Sequence, residues 1–393
     1  MNKVRDLKWY QNRVKVLRAK PQPAQRSPEW YAARNTRITA SEAACCLNLS
    51  EEICKQYVED FNIKNFKYKP DHCLSHYDNR EDYIINKCRT FYGENLFKDS
   101  IYTLHGKKYE EIATRLYRKQ FNTEVWEFGL LPHSRLNWLA ASPDGITPNG
   151  VMLEIKCPYS RKIEEGVPPI WYWVQMQHQL FVADLDECDF LECEIKELKT
   201  EQDFITQIVG KKQDKGILLN KISEPDNSET KYIYPPDHLN TEIEYIEWAN
   251  NIINGSDKNK NKNKNSDSDS GSGSDSGVGD DGGDEIVPIY YFISKWFVIK
   301  VHRRREWFEM IKPYLKSTID LIRRLQSNRQ LFDDYRESIY KIRNKEYLER
   351  YNSTICLIDQ DSQHNQDKED DFVMTLEPTN DMEEDIICLI SDN

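Results

Sequence analysis

Between residues 151 and 157 the chain reads Val-Met-Leu-Glu-Ile-Lys-Cys, an apolar run with a carboxylate and an ammonium set inside it. A short apolar run bounded by turn residues, here Asn149-Gly150 and Pro158, reads as a buried strand. Charged side chains are seldom buried without partners, so Glu154 and Lys156 need a reason to be there. Residues 139–144 read as a second strand, joined to the first by a turn over 145–150. Side chains alternate along a strand, so Glu154 and Lys156 share a face, and Asp144 at the end of the neighbouring strand faces Glu154. The plainer alternative is a hairpin with a surface Glu–Lys pair, since Pro-Asp-Gly is a common turn.

The text around this pair alternates between helices and strands. Segments 7–18 and 28–34 read as helices, the second with Ser27 as N-cap and Pro28 at its first position. Segment 41–47 reads as a short helix. Segment 106–120 is a longer one, with Tyr109, Ile112, Ala113, Leu116 and Tyr117 at helical spacing. Strands are expected at 125–131 and 187–196, and a helix at 170–181. Helix, three strands, helix, strand predicts a mixed α/β (α+β) fold with a central mixed sheet flanked by helices.

Residues 255–285 run from Asn/Lys through Ser/Asp to Gly/Asp, a composition too polar to offset its ordering entropy, and read as a flexible low-complexity acidic loop. Beyond it, 286–302 is β-branched and aromatic and reads as two strands turning near Ser294 and Lys295. Trp307, Met310, Ile311, Tyr314, Leu315, Ile319, Leu321 and Ile322 then recur at helical spacing. The loop therefore interrupts one domain, 1–254 plus 286–351, whose core motifs lie in 27–195. Residues 352–393 form an acidic tail. The formal net charge of −12 sits in these appendages: residues 255–286 carry −4 and the tail −11, leaving the body at +3. A mildly basic body permits a nucleic-acid partner.

The ten cysteines include no Cys-x-x-Cys pair, so neither zinc nor an iron–sulfur cluster is expected. Reduced thiols suit an intracellular chain. No apolar run reaches the ~18 residues of a membrane span, and the charged N-terminus has no signal-peptide core. The expected setting is therefore intracellular rather than secreted.

Two carboxylates and an ammonium at one point suggest a specific chemistry. Carboxylates are the ligands hard Mg²⁺ (or Mn²⁺) prefers, and the Ile155 carbonyl adds a neutral oxygen to Asp144 and Glu154. A divalent cation activates water, and a neighbouring Lys156 orients it and shields phosphate charge.

Ser142-Pro143-Asp144-Gly145 followed by Leu153-Glu154-Ile155-Lys156-Cys157-Pro158 resembles the core of the PD-(D/E)XK nucleases. It most resembles the lambda exonuclease and YqaJ-type viral recombinase family. Further blocks follow that family's order: Trp30-Tyr31-Ala32-Ala33-Arg34 with Arg37-Ile38-Thr39-Ala40-Ser41, Gly106-Lys107-Lys108-Tyr109-Glu110, and Tyr172-Trp173-Val174-Gln175-Met176-Gln177. The resemblance implies a restriction-endonuclease-like core. It assigns Asp144, Glu154 and the Ile155 carbonyl to the metals, with Glu110 as an additional ligand. Lys156 positions the attacking water, and Gln175 steadies that water or Lys156. Arg34 and Ser41 hold a DNA phosphate, at the 5′ end in the exonucleases, with Arg37 beside them as a DNA contact.

Several alternatives stay open. Glu111 competes with Glu110, and Gln177 and Gln179 compete with Gln175; Gln179 lies one helical turn from Gln175. Arg34 by itself also suits an exposed helix face. His178 is expected exposed, and Trp171 and Trp173 are expected in the core rather than stacked on bases. The polar, tyrosine-rich stretch 49–100 departs from the family pattern and reads as an insertion reshaping the DNA entrance. The family's ring-shaped trimer makes a homo-oligomer an expectation, and a single-strand annealing protein is an expected partner besides double-stranded DNA.

Ile355-Cys356-Leu357-Ile358-Asp359 recurs as Ile387-Cys388-Leu389-Ile390-Ser391. Short β-prone segments among acids resemble SUMO-interacting motifs, which add a strand to a partner's sheet. The leading reading is a Mg²⁺-dependent DNase working as an exonuclease from duplex ends in recombination, repair or DNA processing. An endonuclease on the same fold and a non-catalytic DNA-binding scaffold are the alternatives. The Asn/Lys/Ile-rich style resembles a large DNA virus, which would place the chain in host cytoplasm or a virus factory.

Overall fold

The computed structural model describes residues 5–74, 79–94, 100–210, 214–222, 231–264 and 285–361. Its helices are α1 (Leu7–Arg18), α2 (Pro28–Asn35), α3 (Glu51–Asp60), α4 (Arg80–Phe91), α5 (Ile101–Phe121), α6 (Ile170–Ala183), α7 (Glu201–Thr206), α8 (Glu242–Lys264), α9 (Arg305–Gln326) and α10 (Arg329–Asp361), with a 3-10 turn over Ala40–Cys46. Its strands are β1 (Ile38–Thr39), β2 (Asn48–Leu49), β3 (Lys69–Cys73), β4 (Leu131–Pro132), β5 (Leu139–Ala141), β6 (Gly145–Ile146), β7 (Val151–Lys156), β8 (Glu187–Leu198), β9 (Lys215–Ile222), β10 (Lys231–Ile233) and β11 (Glu285–His302).

The apolar run Val151–Lys156 is β7. It lies inside a six-stranded sheet of order β10-β9-β11-β8-β7-β6. The β7–β8 pair is parallel, with Glu154 opposite Phe190 and Lys156 opposite Glu192. The remaining pairs are antiparallel. Alternation sorts the β7 side chains. Leu153, Ile155 and Cys157 pack with Tyr109, Ile112, Ala113, Leu116 and Tyr117 of α5. Met152 packs instead with Tyr172, Trp173, Val174 and Met176 of α6, in the larger core cluster that also holds α9. Each large apolar side chain buried this way stabilises the fold by about 1.5–3 kcal/mol. Every α6 residue except Trp171 is buried, so this helix is the spine of the domain.

Local chemistry starts and stops these elements as the sequence suggests. Ser27 caps α2 by accepting from the Trp30 amide, with Pro28 at the start. Asn122 ends α5 in the left-handed conformation that Asn tolerates. Gly150 turns with φ +85°, and Gly145 is needed for space: a Cβ there would lie 2.2 Å from Val125 Cγ1.

Several expectations are corrected. The hairpin of 139–144 with 151–157 does not form. Strand β5 instead joins β1 and β4 in a separate three-stranded sheet, and the two residues of β6 pair with β7. Pro143 cannot donate to a ladder, so the chain leaves one sheet at Ala141 and enters the other at Gly145. Segment 125–131 is no continuous strand; Trp126 makes one bridge to Ile146. Segment 286–302 is one strand, because Ser294 forms a bulge rather than a turn and anchors it by donating to the Glu194 carbonyl at 3.0 Å. The first part of the expected 255–285 loop continues helix α8 to Lys264, and α10 carries 355–359 as helix instead of extended chain, propagation of an existing helix being easier than nucleation. Residues 265–284 and 362–393, including the 387–391 segment, lie outside the described residues. The 49–100 stretch contributes Ile53, Cys54, Tyr57, Tyr83, Ile84, Ile85 and Cys88 to the main core. Its apolar positions match the helix period, which polar neighbours disguise. Among the described residues no helix is long and apolar enough to cross a membrane.

Candidate active site

Asp144 sits in the crossover between the sheets, and two contacts brace that crossover. Trp30 Nε1 of α2 donates to Ser142 Oγ at 2.8 Å, and Gln25 Nε2 donates to the Pro143 carbonyl at 3.1 Å. The Asp144 carboxylate accepts from the Ile155 amide at 2.7 Å. This bond sets Asp144 against the edge of β7 next to Glu154.

Glu154 is 1 % exposed, and both of its carboxylate oxygens have partners. Gln175 Nε2 donates to its Oε1 at 2.7 Å, Gln179 Nε2 to its Oε2 at 2.6 Å, and Lys156 Nζ stands 3.0 Å from Oε1. Gln175 and Gln179 thus share the work that the sequence offered to one or the other, being one turn apart on α6. Gln177 points elsewhere: it donates to the His302 carbonyl and accepts from the Arg304 amide. Donation to a charged acceptor is worth about 1.5–3 kcal/mol. Gln179→Leu is therefore expected to lower stability by about 2 kcal/mol and to cost catalysis, read by thermal melts beside DNA-cleavage assays.

The electrostatics are lopsided. Burial pushes the Asp144 carboxyl well above the usual carboxylate range, and the charges of Glu154 and Glu110 push it further, while Lys156 and the Ile155 amide oppose them. Burial works against the charged form of Lys156, yet Glu154, Tyr172 and Asp144 outweigh it and raise its pKa above the ordinary lysine value. The ammonium also stands 4.7 Å from the Tyr172 ring centroid.

Glu110 comes from α5, on the opposite face of the sheet, and is tied to Arg26 Nη2 at 2.6 Å. Glu111 is held by Arg115 and Arg118 instead. Asp144, Glu110, Lys156, Arg26, Lys107 and Arg161 line one cleft, with Tyr102 and Tyr172. Among the described residues no three His, Cys, Asp or Glu side chains gather as a ready-made metal cage. The buried thiols Cys54, Cys88, Cys157 and Cys188 form no disulfide.

The other predicted residues are placed apart from this cleft. Arg34 donates to Ser41 Oγ at 3.1 Å, lies 4.3 Å from the Trp30 ring centroid and 4.0 Å from Glu42 Oε1. Arg37 is tied to the carbonyls of Ala33 and Asn137. His178 is fully buried against Phe308, contrary to its expected exposure, because α6 is enclosed on all sides; burial lowers its pKa to about 3. Trp173 packs on Trp307, 4.6 Å between centroids, as expected of a core residue. Sequence reasoning did not find Arg26, Arg161, Glu192, Glu42 or Lys87. Glu192 alone left a signal, an acid within the apolar strand 188–193.

An Asp at a strand crossover next to Glu-x-Lys on β7, with Gln175 and Gln179 of α6 closing behind, is the arrangement that the resemblance to PD-(D/E)XK nucleases implies. Residues 29–186 match the family model of the YqaJ-like viral recombinase domain. A relative from Acanthamoeba polyphaga mimivirus, described as an uncharacterized protein, is 32 % identical over 276 residues, covering 61 % of this chain and 45 % of that one. The chain thus spans just under half the length of this viral relative. Among solved structures, an alkaline exonuclease from Laribacter hongkongensis is similar at 15 % identity and TM-score 0.39, covering 80 % of this chain and all of that one. A phage-related exonuclease from Haemophilus somnus is similar at 11 % identity and TM-score 0.37, covering 74 % and 95 % of the two chains.

Proposed function

We propose that the chain is a divalent-metal-dependent DNA exonuclease that hydrolyses phosphodiesters from duplex ends. The observation that carries this reading is the corner where buried Glu154, held by Gln175, Gln179 and Lys156, meets Asp144. The match of residues 29–186 to a viral recombinase domain supports DNA as the substrate.

The donor set fits a hard cation. Asp144 and Glu110 line the cleft with carboxylate oxygens, and Glu154 brings a third carboxylate, buried beside Lys156. In an extended strand one residue's N–H and C=O point to the same edge, so the Ile155 carbonyl shares the edge on which its amide meets Asp144. Burial first, and then the charges of Glu154 and Glu110, push the Asp144 carboxyl up, and a cation beside it would favour its charged form. Bound there, Mg²⁺ or Mn²⁺ would supply Lewis acidity toward the phosphoryl oxygens and lower the pKa of water.

The chain's own residues do the rest. Lys156, kept charged by Glu154, donates hydrogen bonds to the attacking water or a phosphate oxygen. Gln175 and Gln179 fix the Glu154 carboxylate so that Lys156 stays aimed. Arg34 and Ser41 hold the DNA end: the guanidinium has five donors, and only some are occupied by Ser41 and Glu42.

Linear and closed-circular duplexes, incubated with Mg²⁺ and with EDTA, test this reading. Degradation of the linear form alone is expected, with chelation slowing it by more than about 100-fold and added Mg²⁺ restoring it, since the metal supplies several kcal/mol of barrier lowering. Cutting of circles would make it an endonuclease. DNA binding without metal-dependent cleavage would leave a scaffold.

A further inference from the structure

Strand β8 sets Glu192 directly across from Lys156, and Glu192 is 0 % exposed. A carboxylate buried so deeply carries a penalty of several kcal/mol unless a cation answers it. Arg161 does so through Nη2, but the two partners are unequally placed: the Arg161 side chain keeps 27 % exposure against 1 % for Glu192. The part of Arg161 that emerges lines the cleft that holds Asp144, Glu110 and Lys156. Its Nη1 donates to the Lys162 carbonyl at 3.3 Å, and its Cζ lies 5.8 Å from the Tyr172 ring that also carries Lys156.

The counter-ions differ in a way that matters. Arg26 and Lys156 are paired with Glu110 and Glu154, carboxylates of the site itself. Glu192, which pairs with Arg161, lies beneath the cleft, in the sheet. A buried pair with both members inside is a packing device. A pair with a buried acid and a guanidinium reaching into a catalytic cleft is an aiming device. Arginine suits that task, because one edge of its planar fork can be anchored while the other presents donors to a phosphate.

We propose that Arg161 binds a backbone phosphate of the DNA strand in this cleft, and that Glu192 is the positioning residue that aims it. The inference rests on the DNA-cleaving reading above.

The test uses the full chain, with a fluorescent duplex in Ca²⁺ for binding over a salt series and steady-state cleavage in Mg²⁺. Arg161→Ala is expected to weaken binding about ten-fold and to reduce the salt slope of log K by about 1, as for one lost phosphate contact. KM should rise more than kcat falls. Glu192→Gln gives the discriminating sign. It removes a negative charge below the cleft, so a bystander carboxylate predicts tighter DNA binding. A positioning role predicts binding weakened about three-fold or more, as the fork loses its anchor. The double variant Arg161→Ala/Glu192→Gln leaves no unpaired buried charge, and its melting temperature reports folding. It should bind no worse than Arg161→Ala alone.

Tighter binding by Glu192→Gln, or a folded double variant with wild-type affinity and salt slope, would overturn the proposal. A wild-type chain that neither binds nor cuts duplex DNA would overturn the nuclease reading, and this inference with it. A wild type that does both beside an unaffected Arg161→Ala overturns this inference alone.

Discussion

Asp144→Asn and Glu154→Gln should both abolish metal-dependent DNA cleavage, by about 10³-fold or more, while moving stability in opposite directions. Each removes a charged ligand, and several kcal/mol of lost barrier lowering is a factor of about ten per 1.4 kcal/mol. Their folded environments differ. Asp144 is buried beside Glu154 and Glu110 and, among the described residues, accepts from the Ile155 amide. A neutral isostere keeps that acceptor and relieves the repulsion, so Asp144→Asn should melt at or above the wild-type temperature in metal-free buffer. Glu154 instead collects Gln175, Gln179 and Lys156. An amide there confronts donors with a donor and leaves the Lys156 ammonium buried without its anion, a loss of about 3–5 kcal/mol. Paired melts and cleavage rates check both halves. Strong residual activity in either variant would remove that residue from the site. Equal destabilisation by both would mean that Asp144 is held as firmly as Glu154.

The contrast also shows what the sequence made legible. Charges inside the apolar run 151–157 were enough to predict a buried strand with a shared Glu154–Lys156 face, because alternation is a property of the backbone. Helices with a clear cap, such as α2, or with apolar residues at helical spacing, such as α5, were likewise readable. Long-range pairing was not. Whether Asp144 arrived on a hairpin or on a crossover depends on β5 choosing β1 and β4 over β7, and a two-residue strand such as β6 leaves too little pattern to register. The choice between Gln175 and Gln179 was undecidable because both answers were right, one for each oxygen of Glu154. His178 was misjudged for a similar reason: glutamines around it looked like an exposed face, but they were pointing at partners inside the protein. The Arg161–Glu192 and Lys87–Glu42 pairs join residues 31 and 45 positions apart, a separation that no local pattern encodes.

The second of those pairs should matter most for stability outside the catalytic corner. Lys87 of α4 is buried and stands 2.5 Å from Glu42 Oε1. Glu42 also accepts from the Thr39 amide at 2.9 Å and the Thr39 hydroxyl at 2.8 Å, and Arg34 lies 4.0 Å away. Lys87→Met keeps much of the volume but strands the carboxylate, and is expected to cost about 3–5 kcal/mol in urea unfolding. Glu42→Gln/Lys87→Met, with neither charge, should recover most of that loss. Burial works against a charged Glu42, but Lys87 and Arg34 outweigh it and hold its carboxyl below the usual range. A depressed folded pKa gives stability that is present above the unfolded value and disappears as the pH falls through the folded one. The gap between wild type and Lys87→Met should therefore narrow on acidification. Function should follow the same pair. Without Lys87, Arg34 becomes the remaining nearby cation for Glu42 and is drawn away from a DNA end. Preference for a 5′-phosphorylated over a 5′-hydroxyl duplex should then fall in Lys87→Met and return in the double variant, where a neutral amide in place of the Glu42 carboxylate makes no such demand on Arg34. Preference unchanged in a destabilised Lys87→Met would separate this pair from end recognition and leave it a purely structural tie between α4 and the 3-10 turn.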